Sequence, residues 1–308
     1  LWWPTAACST AKHSMHCCAM CKTGHKDDPR RVSAVTTKRS AGDLPSSALV
    51  PFLLITFGIA WSLFALLAVF PDWIAQRFGP LSGCHPLFIL AVYAPAMAAF
   101  TVVLANAGLG GLVRYLARLA LWRVGPLWWA FLLLGIPLIF IIGSALKGNL
   151  VAYEFPFKMA GEALMAMGFM LVLGPIEEFG WRGVALPLLQ RRLAPFWASL
   201  VLGLIWGLWH MPAFLMSGTP QSAWDFTPFV IGAIAISVIL TPLFNASGGS
   251  ILLAMLFHFQ LNNPLWPDAQ PHDSAVFAAA AIVVTWMNRK TMFSRDWAVQ
   301  RVIPEPRP

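Results

Sequence analysis

Most of this chain is partitioned into long apolar blocks separated by short polar or basic segments, and that partition restricts the fold more than any other feature. The blocks cover approximately residues 47–70, 87–107, 127–146, 159–189, 195–216, 227–244, 249–266 and 274–287. Most approach the ~20 apolar residues that a helix needs to cross a bilayer. Backbone N–H and C=O groups find no water there, so self-satisfied helices are the expected form. Charge is correspondingly scarce. Asp, Glu, Lys and Arg make up 11% of the 308 residues and hydrophobic residues 58%, where a soluble domain carries roughly 25% charged residues. The expected fold class is therefore all-α: a polytopic membrane helical bundle of about eight transmembrane helices plus one interfacial amphipathic helix.

The net charge of +8 does not point to nucleic acid, because the basic residues are spread over the connections between blocks. With the N-terminus inside, one side of the membrane carries Arg114, Arg118 and Arg123, then Arg191 and Arg192, then Arg289, Lys290, Arg295, Arg301 and Arg307. The other side carries Arg77, Lys147 and Lys158. This bias predicts that both termini are cytoplasmic. The segment GLGGLVRYLARLALWRVGP supplies the expected interfacial helix, with Arg114 and Arg118 four apart and Leu112, Tyr115, Leu116 and Leu119 on the other side.

Residues 1–46 read as a basic, disordered tail, 47–288 as the integral membrane domain and 289–308 as a basic cytoplasmic tail. The first tail holds Cys8, Cys17, Cys18 and Cys21 with His13, His16 and His25, but no second ligand pair at finger spacing, so no metal is expected there. It also lacks the apolar stretch and small-residue site of a signal peptide.

Polar residues inside the blocks are few. A charge at a helix centre costs at least about 2.5–3.5 kcal/mol on insertion scales. Glu177, Glu178 and Arg182 lie in GPIEEFGWRG, His210 in WGLWHMP, and His258 and Asn262 in LFHFQLNN. Glu162, near the end of its block, reads as structural. Glu178 and Arg182 are four apart and can pair on one face, which leaves Glu177, about 100° round the helix, free to point elsewhere. Trp206 and His210 share a face, as do His258 and Asn262. A hairpin turning near Ala194 brings Glu177 and His210 to nearly the same level, though some 25 Å from that turn at 1.5 Å per residue.

A carboxylate, two imidazoles and an amide can together hydrolyse an amide bond without a covalent nucleophile. The carboxylate, with one imidazole, deprotonates water. The second imidazole and the amide donate to the developing oxyanion. No G-x-S-x-G occurs, and Cys84 lies in a connection apart from these groups. Zinc competes for Glu and His, but H-E-x-x-H is absent, the histidines fall on different helices, and Asn is a poor zinc ligand. The plainer reading, polar side chains joining helices, accounts for one lone histidine better than for three separate clusters.

The order E-E-x-x-x-R, then aromatic-x-x-x-H, then H-x-x-x-N, across roughly residues 159–266, resembles the CPBP family of intramembrane proteases. That family includes CAAX prenyl proteases and bacteriocin-processing or self-immunity proteins. One departure is Trp206, where the family's second motif usually starts with Phe. The resemblance implies a glutamic endopeptidase without cofactor or metal, with Glu177 as general base beside His210, an oxyanion site of His258 and Asn262, and Glu178 and Arg182 as support with Trp206. It implies a peptide or lipidated-protein substrate, membrane lipids as surroundings, and residence in the cell membrane of a prokaryote. Two other readings stay open: a non-catalytic membrane partner or immunity protein on the same scaffold, and a zinc-dependent membrane hydrolase.

Overall fold

The computed structural model describes residues 42–151, 153–155 and 157–305. The Cys/His-rich stretch around Cys17 and the last basic residue, Arg307, lie outside the described residues. The described residues are all-α, with no strand. In chain order the helices are α1 (Leu49–Val69), α2 (Pro71–Phe78), α3 (Pro86–Val92), α4 (Ala94–Leu116), α5 (Pro126–Lys147), α6 (Ala160–Gln190), α7 (Pro195–Trp209), α8 (Phe226–Ala246), α9 (Ile251–Leu261) and α10 (His272–Met287).

Five stretches, built on α1, α4, α5, α6 and α8, are long and apolar enough to cross a membrane. Helices α7, α9 and α10 are apolar but shorter. All eight apolar blocks thus form helices in the expected order, but three stop short, and proline is the reason. Pro212 follows α7, Asn263-Pro264 follows α9, and Pro271 immediately precedes α10. Proline lacks an N–H, its ring clashes with the carbonyl four residues back, and it disfavours helical geometry in the residue before it. The second block is divided the same way, with Pro95 in the first turn of α4 after α3 ends.

Helix α7 packs mainly on α8, α8 also on α10, α10 on α5, and α1 on α4. Small residues permit these approaches: a Cβ at Gly203 of α7 would meet the α8 backbone at 2.6 Å. Many apolar side chains point outward instead, among them Leu133, Leu134, Leu164, Met165, Ile282 and Trp286. In a bilayer those faces meet lipid.

The segment expected to lie along the interface is built differently. It continues α4 beyond Gly108, whose φ of 61° takes the chain out of helical geometry at a position where glycine carries no steric penalty. Arg118, expected on the polar face, is only 1% exposed. Its Nη1 donates to the carbonyls of Gly183 (2.8 Å) and Val302 (3.0 Å), and its Nε to that of Gly249 (2.8 Å). The cause lies in α6. Pro187 has no N–H to give the Gly183 carbonyl four residues before it, the chain widens to π geometry over Trp181–Ala185, and Arg118 fills the vacancy. Tyr115 likewise donates to the carbonyl of Phe179.

Residues from both expected tails pack against the bundle. Asp43, assigned to the N-terminal tail, accepts from the backbone N–H groups of Val302 and Ile303 and pairs with Arg191 at 2.8 Å. Val302 and Ile303, assigned to the basic C-terminal segment, are fully buried. Glu162 caps α6, its Oε2 accepting from the N–H groups of Lys158 and Met159.

Candidate active site

Each of the three sequence motifs sits where a helix is interrupted, and a proline lies two residues from each. Pro175 opens a 3₁₀ turn, Pro175–Glu177, that carries Glu177. Pro212 follows His210, which ends α7, and Pro264 follows Asn262, which ends α9. Side chains at helix ends clear the neighbouring turns, so these three can converge without being covered by their own helices.

Glu177 is 3% exposed. Its Oε2 accepts from two indoles, Trp206 Nε1 at 2.9 Å and Trp181 Nε1 at 3.3 Å. Both bonds fall on one oxygen, which leaves Oε1 for another partner. Trp206 is the hub of the cluster. Its carbonyl lies 2.8 Å from His210 Nδ1, its ring stands edge-on to those of His210 and His258, and the Arg182 guanidinium sits 4.9 Å from its centre. A carbonyl oxygen only accepts, so His210 Nδ1 carries a proton, and in the neutral ring Nε2 is then an acceptor.

Glu178 lies behind this layer, fully buried. Its Oε1 takes Arg182 Nη1 at 3.1 Å, the pairing expected from their spacing, and also His258 Nδ1 at 2.7 Å. The second contact orients His258 and turns its Nε2 the other way. There it meets Asn262 over Gly174. A Cβ at position 174 would fall on the Asn262 amide nitrogen and lie 3.1 Å from His258 Nε2. Only glycine lets the α6 backbone come this close.

Glu177, Trp206, His210, His258 and Asn262 all line one cavity of about 530 Å³, together with Gly174, while Glu178 and Arg182 stand outside it. The rest of its wall is largely aromatic and aliphatic, including Phe88, Phe140, Phe169, Phe229 and Phe277. The arrangement suits hydrolysis of an extended apolar substrate. It provides a carboxylate oxygen and an imidazole lone pair on one side, and an imidazole Nε2 and an amide NH₂ on the other. Among the described residues, no three His, Cys, Asp or Glu side chains converge as metal ligands do.

Sequence reasoning misses two contributors and gives a third too small a part. Trp181 is four residues after Glu177, a spacing that could have disclosed it. Gly174 left no signal beyond being glycine, since its role depends on a helix far along the chain. Trp206 was read as a generic aromatic support, yet its indole N–H reaches Glu177, which the Phe usual at that place cannot do.

Residues 159–263 match the family described as type II CAAX prenyl endopeptidase Rce1-like. A CAAX prenyl protease 2 from Methanococcus maripaludis is 26% identical over 161 residues, covering 48% of this chain and 59% of the relative. The chain thus spans somewhat more than half the length of that relative. The matched segment runs from the start of α6 through Asn263 and so contains all three motifs and every polar residue of the cluster. In that segment the chain is similar to CAAX proteases.

Proposed function

We propose that this protein is an intramembrane endopeptidase that hydrolyses a peptide bond of a membrane-associated or lipidated substrate by a glutamate-activated water. The observation that carries this reading is the sorting of the buried polar residues: Glu177, His210, His258 and Asn262, from three separate helices, face one cavity, whereas Glu178 and Arg182 brace them from behind.

Water bound between Glu177 Oε1 and His210 Nε2 gives its proton to Glu177 as its oxygen attacks the peptide carbonyl. The resulting oxyanion lies between Asn262 Nδ2 and His258 Nε2. With a proton on each ring nitrogen, His258 donates to Glu178 and to the oxyanion at once. Collapse of the tetrahedral intermediate breaks the C–N bond, and Glu177 returns the proton to the leaving amine. Trp206 and Trp181 hold Oε2 throughout, so the carboxylate does not rotate away from the water. The relative's name suggests a prenylated substrate, and the apolar wall of the cavity suits a lipid chain or apolar side chains.

Orientation follows from charge. Gly83, Cys84, Gln221, Trp224 and Pro267 line the cavity from connections that follow the first, fifth and seventh apolar blocks. The strongly basic connections follow the second, fourth and eighth. With the basic side cytoplasmic, the cavity opens away from the cytoplasm, which accounts for the depth of Glu177 relative to the Ala194 turn. Cys84 is exposed. In a variant with Cys8, Cys17, Cys18 and Cys21 changed to Ser, a membrane-impermeant maleimide should label Cys84 in intact cells. Labelling only after lysis would reverse the orientation.

The activity itself is tested by terminal-peptide mass spectrometry on membranes from cells expressing wild type or Glu177→Gln at equal levels. New termini in wild-type membranes that vanish in the variant are expected. A biological effect that survives Glu177→Gln would instead favour the non-catalytic reading, and cleavage abolished by chelators would favour the zinc one.

A further inference from the structure

The catalytic residues occupy only part of the cavity wall, and a second polar group lines it elsewhere. Asp273, in the first turn of α10, is 4% exposed and faces the cavity with Gln270, Ser274 and Gln221. Its Oδ1 accepts from the Ser274 N–H at 2.8 Å and its Oδ2 from Gln270 Nε2 at 3.1 Å. Neither donor is a cation. No ion pair to Asp273 exists among the described residues, and the nearby Lys147 is engaged by Asp268 at 2.6 Å. Two further acceptors in the same wall, Gln270 Oε1 and Gln221 Oε1, are shielded from solvent and have no partner.

Buried polar groups are nearly always hydrogen-bonded, and a buried carboxylate without a counter-charge is costly. Here three side chains present acceptors and none presents a free cation. Helix α10 compensates part of the charge, since Asp273 sits at its positive end. That explains a carboxylate at the helix start; it does not account for Gln270 Oε1 and Gln221 Oε1, amide oxygens of two other lining residues that are left without a partner.

We infer that Asp273, Gln270 and Gln221 form a substrate subsite that takes a cationic nitrogen donor: a Lys or Arg side chain, or the free amine of a peptide. This inference rests on the proposed peptidase reading of the same cavity and specifies its substrate class. A peptide in the cavity then lies with its scissile carbonyl between Glu177 and Asn262, its apolar side chains on the aromatic wall and its cationic group at Asp273. Asp273 sets specificity and takes no part in proton transfer.

The test separates binding from cleavage. Fluorescein-labelled apolar decapeptides carry a single Arg, Lys, Gln or Ala at each position in turn, with free or acetylated N-termini. Affinity is measured on full-length Glu177→Gln protein in nanodiscs, and cleavage on wild type. At one position Arg or Lys should bind about tenfold to a hundredfold more tightly than Ala, as expected for a charged hydrogen-bonded pair. A matching gain for the free N-terminus alone would assign the subsite to a terminal amine. Asp273→Asn should erase the preference and raise KM for the preferred peptide to the value for the Ala peptide.

Equal binding of every peptide to the Glu177→Gln protein would overturn the inference and leave the acceptors to bound water only; this result needs no folded Asp273 variant. Cleavage without any such preference removes the subsite and leaves the peptidase. Preference without cleavage by wild type removes the peptidase and leaves the subsite.

Discussion

Two buried polar regions adjoin α6, one at its proline-broken middle and one toward its C-terminal end, and they differ in what their side chains face. At the break near Gly174, Glu177, His210, His258 and Asn262 each line a cavity. Toward the C-terminal end, Arg118, Gln190, Arg191 and Asn245 bond to protein. Gln190 and Asn245 exchange hydrogen bonds at 2.8 and 3.1 Å, Val299 bonds to both, and Arg191 reaches Asp43, Leu44 and Gln300. Both regions bear the cost of burying polar groups in an apolar chain. The difference teaches that intramembrane polarity alone does not mark a catalytic site. The proposed site adds polarity left open toward a cavity.

The largest effect that can break this comparison is at Glu177. Glu177→Gln should reduce cleavage by about 10²–10⁴-fold, the range for a general base, with unfolding temperature unchanged. Asn262→Ala should follow, lowering kcat by roughly 10²–10³-fold as expected for an oxyanion donor, with KM little altered. Smaller again are the positioning changes. Glu178→Gln removes the charge that orients His258, and Gly174→Ala pushes a methyl group onto the Asn262 amide. Each should cost about 10²-fold, the scale of a 1 Å misplacement. Glu178→Gln should lower kcat while leaving substrate binding to the Glu177→Gln background intact.

The region toward the C-terminal end of α6 should respond in stability alone. Asn245→Ala leaves Gln190 Oε1 and the Val299 N–H without a partner, and about 1–3 kcal/mol should be lost for each buried group unpaired. The surviving folded enzyme should keep the wild-type kcat. A drop in kcat without a drop in unfolding temperature would blur the distinction between the two regions.

Much of this was legible in the sequence because hydrophobicity and helical spacing are local. Eight apolar blocks, the Glu178–Arg182 pair and the three motifs could all be read from residues four apart. What remained hidden depends on partners remote in the chain. Arg118 resembles an interfacial arginine until Pro187, 69 positions later, is seen to leave the Gly183 carbonyl without a donor. Glu178 looks satisfied by Arg182 until His258 arrives from another helix. Gly174 is silent until Asn262 is placed against it. The prolines were visible, and Pro175, Pro212 and Pro264 each stand two residues from a motif. Their common consequence, helices that stop at the level of one cavity, appears only when the helices are assembled.

The central claim is that Glu177 activates water in this cavity. Its most direct test is the rate at which purified Glu177→Gln protein, reconstituted in liposomes and matched to wild type in amount and unfolding temperature, cleaves a peptide spanning a wild-type-dependent cleavage position. Cleavage by wild type and none above background by the variant is the predicted result. Equal rates from both proteins would contradict it.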